Sequence, residues 1–184
     1  MTSPFDDADR PRAPRHEQAR QTAVGRHGQS TLVAIHAHLR AEMEQVVQAV
    51  RAAQTDARRA ADARALINDL SMVVDHRALG SFCGRHCQVV AMHHRIEDQV
   101  MFVDLAEADP DLGPVLDRLG VEHTVLHDAL VALDSALVAL VRGEAAALPR
   151  VVQAAETLQA GLLSHLDYEE EELLPALGRL EVFV

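Results

Sequence analysis

The stretch MHHRIED, residues 92–98, places two metal-capable side chains, His93 and Glu97, four residues apart. The same spacing recurs in two later stretches, EHTVLH (122–127) and HLDYEEEELLP (165–175), as His123 with His127 and His165 with Glu169. Residues four apart on an α-helix point to the same side, with Cβ atoms about 5–6 Å apart. Three such pairs in one small helical protein predict a single polynuclear metal site inside a bundle.

The composition predicts an all-α fold. The 184 residues suffice for one domain with a sizeable core, and their apolar content is mostly Ala, Val and Leu. Ala and Leu are strong helix formers, and only 9 Gly and 7 Pro residues interrupt them.

Charge and hydropathy exclude several function classes. A net charge of −11 argues against nucleic-acid binding, because phosphate contacts need a basic face. The sequence opens without a secretory apolar region, and no apolar run approaches the roughly 20 residues that cross a bilayer. We therefore expect a cytoplasmic protein without nucleic-acid or membrane partners. All basic residues are Arg, a bias typical of a GC-rich bacterial genome.

The chain is expected to divide into an arm and a bundle. Residues 1–29 are polar and proline-containing, which predicts a disordered N-terminal arm. Residues 30–181 are expected to form an up-down-up-down four-helix bundle. Its helices are predicted to begin near Ser30 and to cover about 64–106, 114–142 and 149–178, with Gly143 ending the third.

Projection at 100° per residue turns metal-capable side chains of every helix toward the core. On the first helix the inward histidine is His36, whereas His38 faces the polar side. Val100 is expected on the same buried face as His93 and Glu97. Five histidines and two carboxylates in a Leu/Val core would cost several kcal/mol per unpaired charge. Metal cations supply the missing positive charge.

The number and type of the candidate ligands limit which metal ions the site could hold. Seven nitrogen and oxygen donors are too many for one tetrahedral zinc, and they suit two octahedral ions that share carboxylate bridges. No histidine has a Glu three residues before it, as in ferritin-like di-iron bundles, and the His-Glu-x-x-His motif of zinc proteases is absent.

The order of these motifs resembles hemerythrin and its bacterial HHE-type relatives. The similar segments are IHAHLR, HHRIED, EHTVLH and HLDYEEEELLP, within about residues 30–178. The resemblance implies a cofactor of two iron ions, an oxo- or hydroxo-bridged di-iron centre. It implies that one iron is held by three histidines, two of them His123 and His127, and that Glu97 and Glu169 bridge. It leaves open which iron takes His36, His93 and His165.

The fourth-helix carboxylate departs from the family pattern. The oxygen carriers have an Asp five residues after the histidine, a position held here by Glu170. At 100° per residue Glu170 lies about 140° from His165 and Glu169 only about 40°. We therefore expect Glu169 as the ligand, unless a π-bulge rotates the helix.

Other polar residues receive weaker expectations. His86 is expected in core packing or beside a ligand, His94 and Asp98 at the edge of the buried face, and Cys83 and Cys87 as small buried thiols with a redox role as the alternative. Tyr168 either packs at the bundle edge or hydrogen-bonds a bound oxygen species, and Glu172 is a spare ligand or proton donor.

The family resemblance implies a protein that binds O₂ or another small diatomic such as NO, as carrier, store or sensor. Two alternatives remain: an oxidoreductase that consumes peroxide or NO, and an iron-responsive signalling module. The expected partner is a small diatomic or peroxide, and the oligomeric state is left open.

Overall fold

The structure, a computed structural model, describes residues 5–16, 20–55, 85–144 and 146–182. The α-helices in the described ranges are α1 (Ala23–Thr55), α2 (Arg85–Ile96), α3 (Phe102–Ala108), α4 (Gly113–Val141) and α5 (Ala147–Arg179). A π-helical segment, Glu97–Met101, joins α2 directly to α3, and a 3₁₀ turn, Pro110–Leu112, precedes α4. The all-helical class is confirmed, because no strand occurs in the described ranges. The up-down-up-down order stays a prediction.

Helix α1 begins earlier than the sequence patterns predict. The Gly25 backbone N–H donates to the Thr22 hydroxyl at 2.8 Å, so Thr22 caps the helix instead of Ser30. Its first turn lies against the end of α5, where a Cβ on Gly25 would meet the Gly178 carbonyl oxygen at 2.4 Å. Gly143, at φ 84°, follows α4 as predicted, in the left-handed region that favours glycine.

The π-helical segment changes which face of its helix is buried. The Phe102 N–H donates to the Glu97 carbonyl, an i→i+5 bond that widens the turn. Glu97 and Met101 are buried as a result, whereas Val100 is 49% exposed. The expectation of an inward Val100 is therefore wrong, because it assumed a straight α-helix.

The described chain divides into two compact units. One unit combines residues 1–38, 92–125 and 163–184, and its apolar core includes Leu119, Leu173 and Leu177. The other unit combines residues 39–91 and 126–162, with Met43, Leu133 and Leu158 among its buried residues. Burying one such side chain contributes about 1.5–3 kcal/mol.

The N-terminal segment, defined here as residues 5–16, contains specific contacts. Arg10 and Ala13 are buried, and the segment forms ion pairs with α4 and α5. The expectation that residues 1–29 form a disordered arm is not confirmed, since the segment and the start of α1 are ordered parts of the fold. Its arginines meet buried carboxylates, a pairing that a polar composition does not reveal.

Several sequence-based expectations remain untested. By length and composition alone, Pro110–Leu140 would suffice to cross a membrane, but the core helix of a soluble protein passes the same test. The expectation of no membrane partner therefore stays a prediction. The expectations for Cys83, His86 and Cys87 also remain untested, because Cys83 and the side chains of His86 and Cys87 lie outside the described residues.

Candidate metal centre

Seven buried side chains form two adjoining groups in the first compact unit. The ligand-capable atoms of each group lie within 4.8 Å of one another. The carboxylate group contains His36, His93, Glu97 and Glu169. The trihistidine group contains His94, His123 and His165. Six of these residues were expected from the sequence, and the seventh is His94.

Each helix supplies its residues by simple spacing. His165 and Glu169 lie one turn apart on α5, so both face the same interior. His93 and Glu97 repeat this spacing across the junction of α2 with the π-helical segment. Helix α1 adds His36, and α4 adds His123.

Both carboxylates of the carboxylate group also approach histidines of the trihistidine group. Glu97 Oε1 is 3.0 Å from His93 Nε2, while its Oε2 is 3.6 Å from His123 Nε2. Glu169 Oε2 is 3.6 Å from His36 Nε2 and 3.6 Å from His165 Nε2. Glu97 thus reaches the two groups with its two different oxygens and Glu169 with a single oxygen, and either arrangement suits a bridging ligand.

Three of the histidines are oriented by outer carboxylates. The Nδ1 atoms of His36, His123 and His165 lie 2.9, 2.8 and 3.1 Å from Glu170, Asp98 and Glu122, respectively. Only an Nδ1–H can donate to a carboxylate, so these contacts assign the tautomer in which Nε2 carries a lone pair. Outer carboxylates that fix histidine tautomers are typical of metal ligands.

In neutral imidazoles, that tautomer places two lone pairs against each other. His123 Nε2 and His165 Nε2 lie 3.2 Å apart, and neither nitrogen carries a hydrogen when both Nδ1 atoms donate. Two lone pairs then face each other in a buried site. A cation bound to both nitrogens would remove this repulsion.

Burial sets the protonation states of the ligands. It lowers the pKa of His93 to about 3 and holds the pKa values of His94 and His165 well below their usual range. These imidazoles are neutral and able to bind a cation. Burial also raises the pKa of Glu169 to about 8, and burial together with the nearby Glu169 raises the pKa of Glu97. The carboxylates therefore lack positive charge around them.

Among the residues that the structure describes, several polar atoms of the centre have no hydrogen-bond partner. They are both oxygens of Glu97, both oxygens of Glu169 and Nε2 of His94. Although His93 Nε2 approaches Glu97 Oε1, that contact lacks the geometry of a hydrogen bond. Buried carboxylates without a cationic partner are unfavourable, and a bound cation would offset that cost. The residues present thus fit a metal.

His127 is part of the second compact unit. Its side chain is exposed, and it belongs to neither group. His94 joins the trihistidine group instead, stacked on His123 with ring centroids 4.1 Å apart. The adjacent histidines His93 and His94 were the available signal, because one helix can direct two neighbours about 100° apart into two ligand groups. The ligand role of His127 stays a prediction that this geometry does not support.

The geometry favours Glu169 over Glu170 on α5. Glu169 is fully buried within the carboxylate group, whereas Glu170 is partly exposed and contacts His36 Nδ1. The π-helical segment lies on the second helical stretch, and α5 stays α-helical at these residues. Glu169 is therefore on the ligand side, as the straight-helix projection predicts.

Tyr168 and Glu172 face the N-terminal segment. The Tyr168 hydroxyl donates to the Pro11 carbonyl at 2.7 Å. Glu172 accepts from the Ala13 backbone N–H at 2.6 Å and from the guanidinium of Arg12 at 3.0 Å. From the sequence, both residues were candidates beside a bound oxygen species. Nothing in the sequence indicated that Glu122 would contact His165 or that Arg10 would pair with Glu122.

Comparison with known proteins agrees with this geometry. The model of the hemerythrin HHE cation-binding domain matches residues 27–177, most of the chain, a range that includes all seven clustered residues. No curated protein and no solved structure matches the chain. With a buried centre of histidines and carboxylates inside the matched range, this chain belongs to the hemerythrin HHE cation-binding domain family.

Proposed function

We propose that this protein is a non-heme di-iron protein that binds O₂ or another small diatomic such as NO, as carrier, store or sensor. The main support is the pair of adjoining ligand groups, in which Glu97 and Glu169 of the carboxylate group also approach histidines of the trihistidine group. Seven nitrogen and oxygen donors support two ions of octahedral preference over a single tetrahedral one.

The two ligand groups differ in composition. The trihistidine group offers three imidazole nitrogens, and the carboxylate group offers two imidazole nitrogens with two acidic side chains. Glu97 and Glu169 are close enough to both groups to be shared between two ions. Bound iron would supply the electrons and the open coordination position that a diatomic needs.

Apolar and aromatic residues lie beside this centre. The Phe102 ring stacks on the His123 ring, with centroids 5.5 Å apart. Two residues close to Phe102 in the sequence, Met101 and Leu105, are also buried. An apolar surrounding excludes bulk water, which favours release of an unchanged ligand over proton-coupled side reactions.

The placement of two acidic groups favours binding over turnover. An oxidoreductase needs a proton donor at the centre, and Tyr168 and Glu172 were the sequence candidates. Both instead contact the N-terminal segment, Tyr168 through Pro11 and Glu172 through Ala13, Arg12 and Arg15. Their hydrogen bonds therefore direct them away from a proton-delivery role.

The test is an optical titration of the iron-loaded, anaerobically reduced protein. We expect an absorption change when O₂ or NO is admitted and its reversal when the gas is removed. Steady consumption of added peroxide or NO, abolished by His123→Ala, would contradict reversible binding and favour the oxidoreductase. A protein that responds to iron alone, with a change of helicity and no gas-dependent spectrum, would favour the iron-responsive module.

Two histidine variants make this test specific. His94→Ala removes a member of the trihistidine group, so we expect loss of the gas-dependent spectrum. His127→Ala removes an exposed histidine, so we expect the spectrum to be unchanged. The opposite pattern would contradict the ligand set.

A further inference from the structure

Arg10, in the N-terminal segment, forms a buried bidentate ion pair with Glu122 of α4. Its Nε lies 2.9 Å from Glu122 Oε1, and its Nη2 lies 2.9 Å from Oε2. The Arg10 side chain is 4% exposed and that of Glu122 is 0% exposed. Two parallel N–H···O bonds of this kind fix the orientation of a carboxylate as well as its charge.

Glu122 transmits this orientation to a ligand of the centre. The oxygen that accepts from Arg10 Nη2, Oε2, is also the oxygen 3.1 Å from His165 Nδ1. The position of His165 Nε2 therefore depends on a carboxylate that Arg10 holds in place. Arg118 also contacts Glu122, but through Oε1 at 3.2 Å.

The other two outer carboxylates have a different environment. The side chains of Asp98 and Glu170, which contact His123 and His36, are 43% and 22% exposed and reach solvent. Glu122 has no access to water, so its charge must be balanced inside the protein. Removing one partner of a buried pair leaves an uncompensated charge, which is strongly unfavourable.

The rest of the N-terminal segment holds Arg10 in position. The Arg10 guanidinium lies over the Tyr168 ring, 4.5 Å from its centroid, and its Nη1 donates to Ser164 Oγ at 3.0 Å. The next residue, Pro11, accepts from the Tyr168 hydroxyl. These contacts all involve α5, the helix that carries His165 and Glu169.

We propose that Arg10 is a positioning residue of the metal centre, acting on His165 through Glu122, and that the N-terminal segment is thereby part of the metal site. This segment precedes the matched residues 27–177. The inference rests on the proposed metal binding, but it does not depend on which gas or peroxide chemistry the iron performs.

The test is a titration of the metal-free full chain with Co(II), a spectroscopic substitute for iron, followed by visible absorption. We expect Arg10→Met to weaken Co(II) binding by about 10-fold, the lower end of the loss caused by removing partners of metal ligands. We also expect its cobalt absorption bands to shift. Arg10→Lys keeps the positive charge but cannot form the two parallel hydrogen bonds to Glu122. We expect this variant to recover part of the cobalt affinity but not the wild-type spectrum.

Arg12→Met is the matched control. Arg12 belongs to the same segment and contacts Glu171 and Glu172, with no contact to Glu122 or His165 among the described bonds. We expect wild-type cobalt affinity and spectrum for this variant. Circular dichroism of each metal-free variant establishes whether it is folded.

Three outcomes would overturn the proposal. One is an unchanged affinity and spectrum in folded Arg10→Met, or in Arg10→Lys should the methionine variant not fold. Another is an equal loss in Arg12→Met, which would indicate general docking of the segment. The third is a wild-type chain that binds no cobalt, which would also refute the metal site. A wild type that binds cobalt normally but gives no O₂ or NO spectrum with iron refutes only the proposed function.

Discussion

His123 and His165 face each other through their Nε2 atoms at 3.2 Å, while each Nδ1 contacts a carboxylate. The hydrogen atoms are thus directed outward, toward Asp98 and Glu122, and the lone pairs are directed at each other. With both imidazoles neutral, the two lone pairs repel each other across this buried contact, and a cation bound to both nitrogens would remove the repulsion.

Metal loading should stabilise the fold. A ligand that binds only the folded state adds about 2.7 kcal/mol at 100 times its dissociation constant. For a chain of this size that corresponds to a rise in Tm of about 5–10 °C. Calorimetry of the iron-loaded protein before and after chelation measures the change. An equal Tm in both states would contradict a preformed metal centre.

Glu169→Gln should reduce the iron-to-protein ratio, because an amide cannot supply the negative charge shared by two cations. The matched control is Glu170→Gln, whose side chain contacts His36 Nδ1 from the partly exposed side. An amide oxygen can still accept from that nitrogen, so we expect the ratio to stay near wild type. Iron analysis of both purified variants decides between the two glutamates, and a loss confined to Glu170→Gln would show that Glu169 is not the ligand.

The stability of the metal-free protein should fall as the pH rises from about 5 to about 8. Burial raises the pKa of Glu169 from the ordinary 4.5 to about 8, so the folded state holds a proton that the unfolded state has released. This contribution is fully present below the unfolded pKa and is lost as the pH rises through the folded one. Urea unfolding at several pH values measures it.

Metal binding should show the opposite pH dependence. Cations need the ionised carboxylates of Glu97 and Glu169, so binding should release protons and tighten as the pH rises. Proton release measured during an anaerobic Fe(II) titration near pH 7 checks the sign. Proton uptake would contradict the protonation states inferred for these two residues.

Gly25→Ala should destabilise the fold, since the added Cβ would meet the Gly178 carbonyl oxygen at 2.4 Å, which forces the helices apart. Overpacking of this kind costs about 1–3 kcal/mol. Gly113→Ala is the control: nothing lies within 4 Å of its added Cβ, and its helical φ of −43° suits alanine. Chemical denaturation should show a loss for the first variant and none for the second.

Most of the centre was predictable because helical spacing determines which side chains share a face. The pairs His93/Glu97 and His165/Glu169, together with His36 and His123, needed only that periodicity. His127 was expected from its four-residue spacing with His123, whereas in the structure the ring of His94 stacks on His123. Such a choice depends on contacts between helices, which one sequence does not display.

The same reason explains the other differences between prediction and structure. Val100 was placed inward because the π-helical turn at Glu97 has no sequence signal in a single chain. Arg10 was assigned to a disordered arm because its partner, Glu122, lies 112 residues away. Long-range pairing and local helix irregularity thus set the limit of sequence reasoning here.

The central claim is a di-iron centre built from the two adjoining groups, and the iron-to-protein ratio of the anaerobically reconstituted protein tests it most directly. We predict about two iron ions per chain for the wild type and for His127→Ala, and a clear loss in His94→Ala. A wild-type ratio of one or none, or full loading of His94→Ala, would contradict the account.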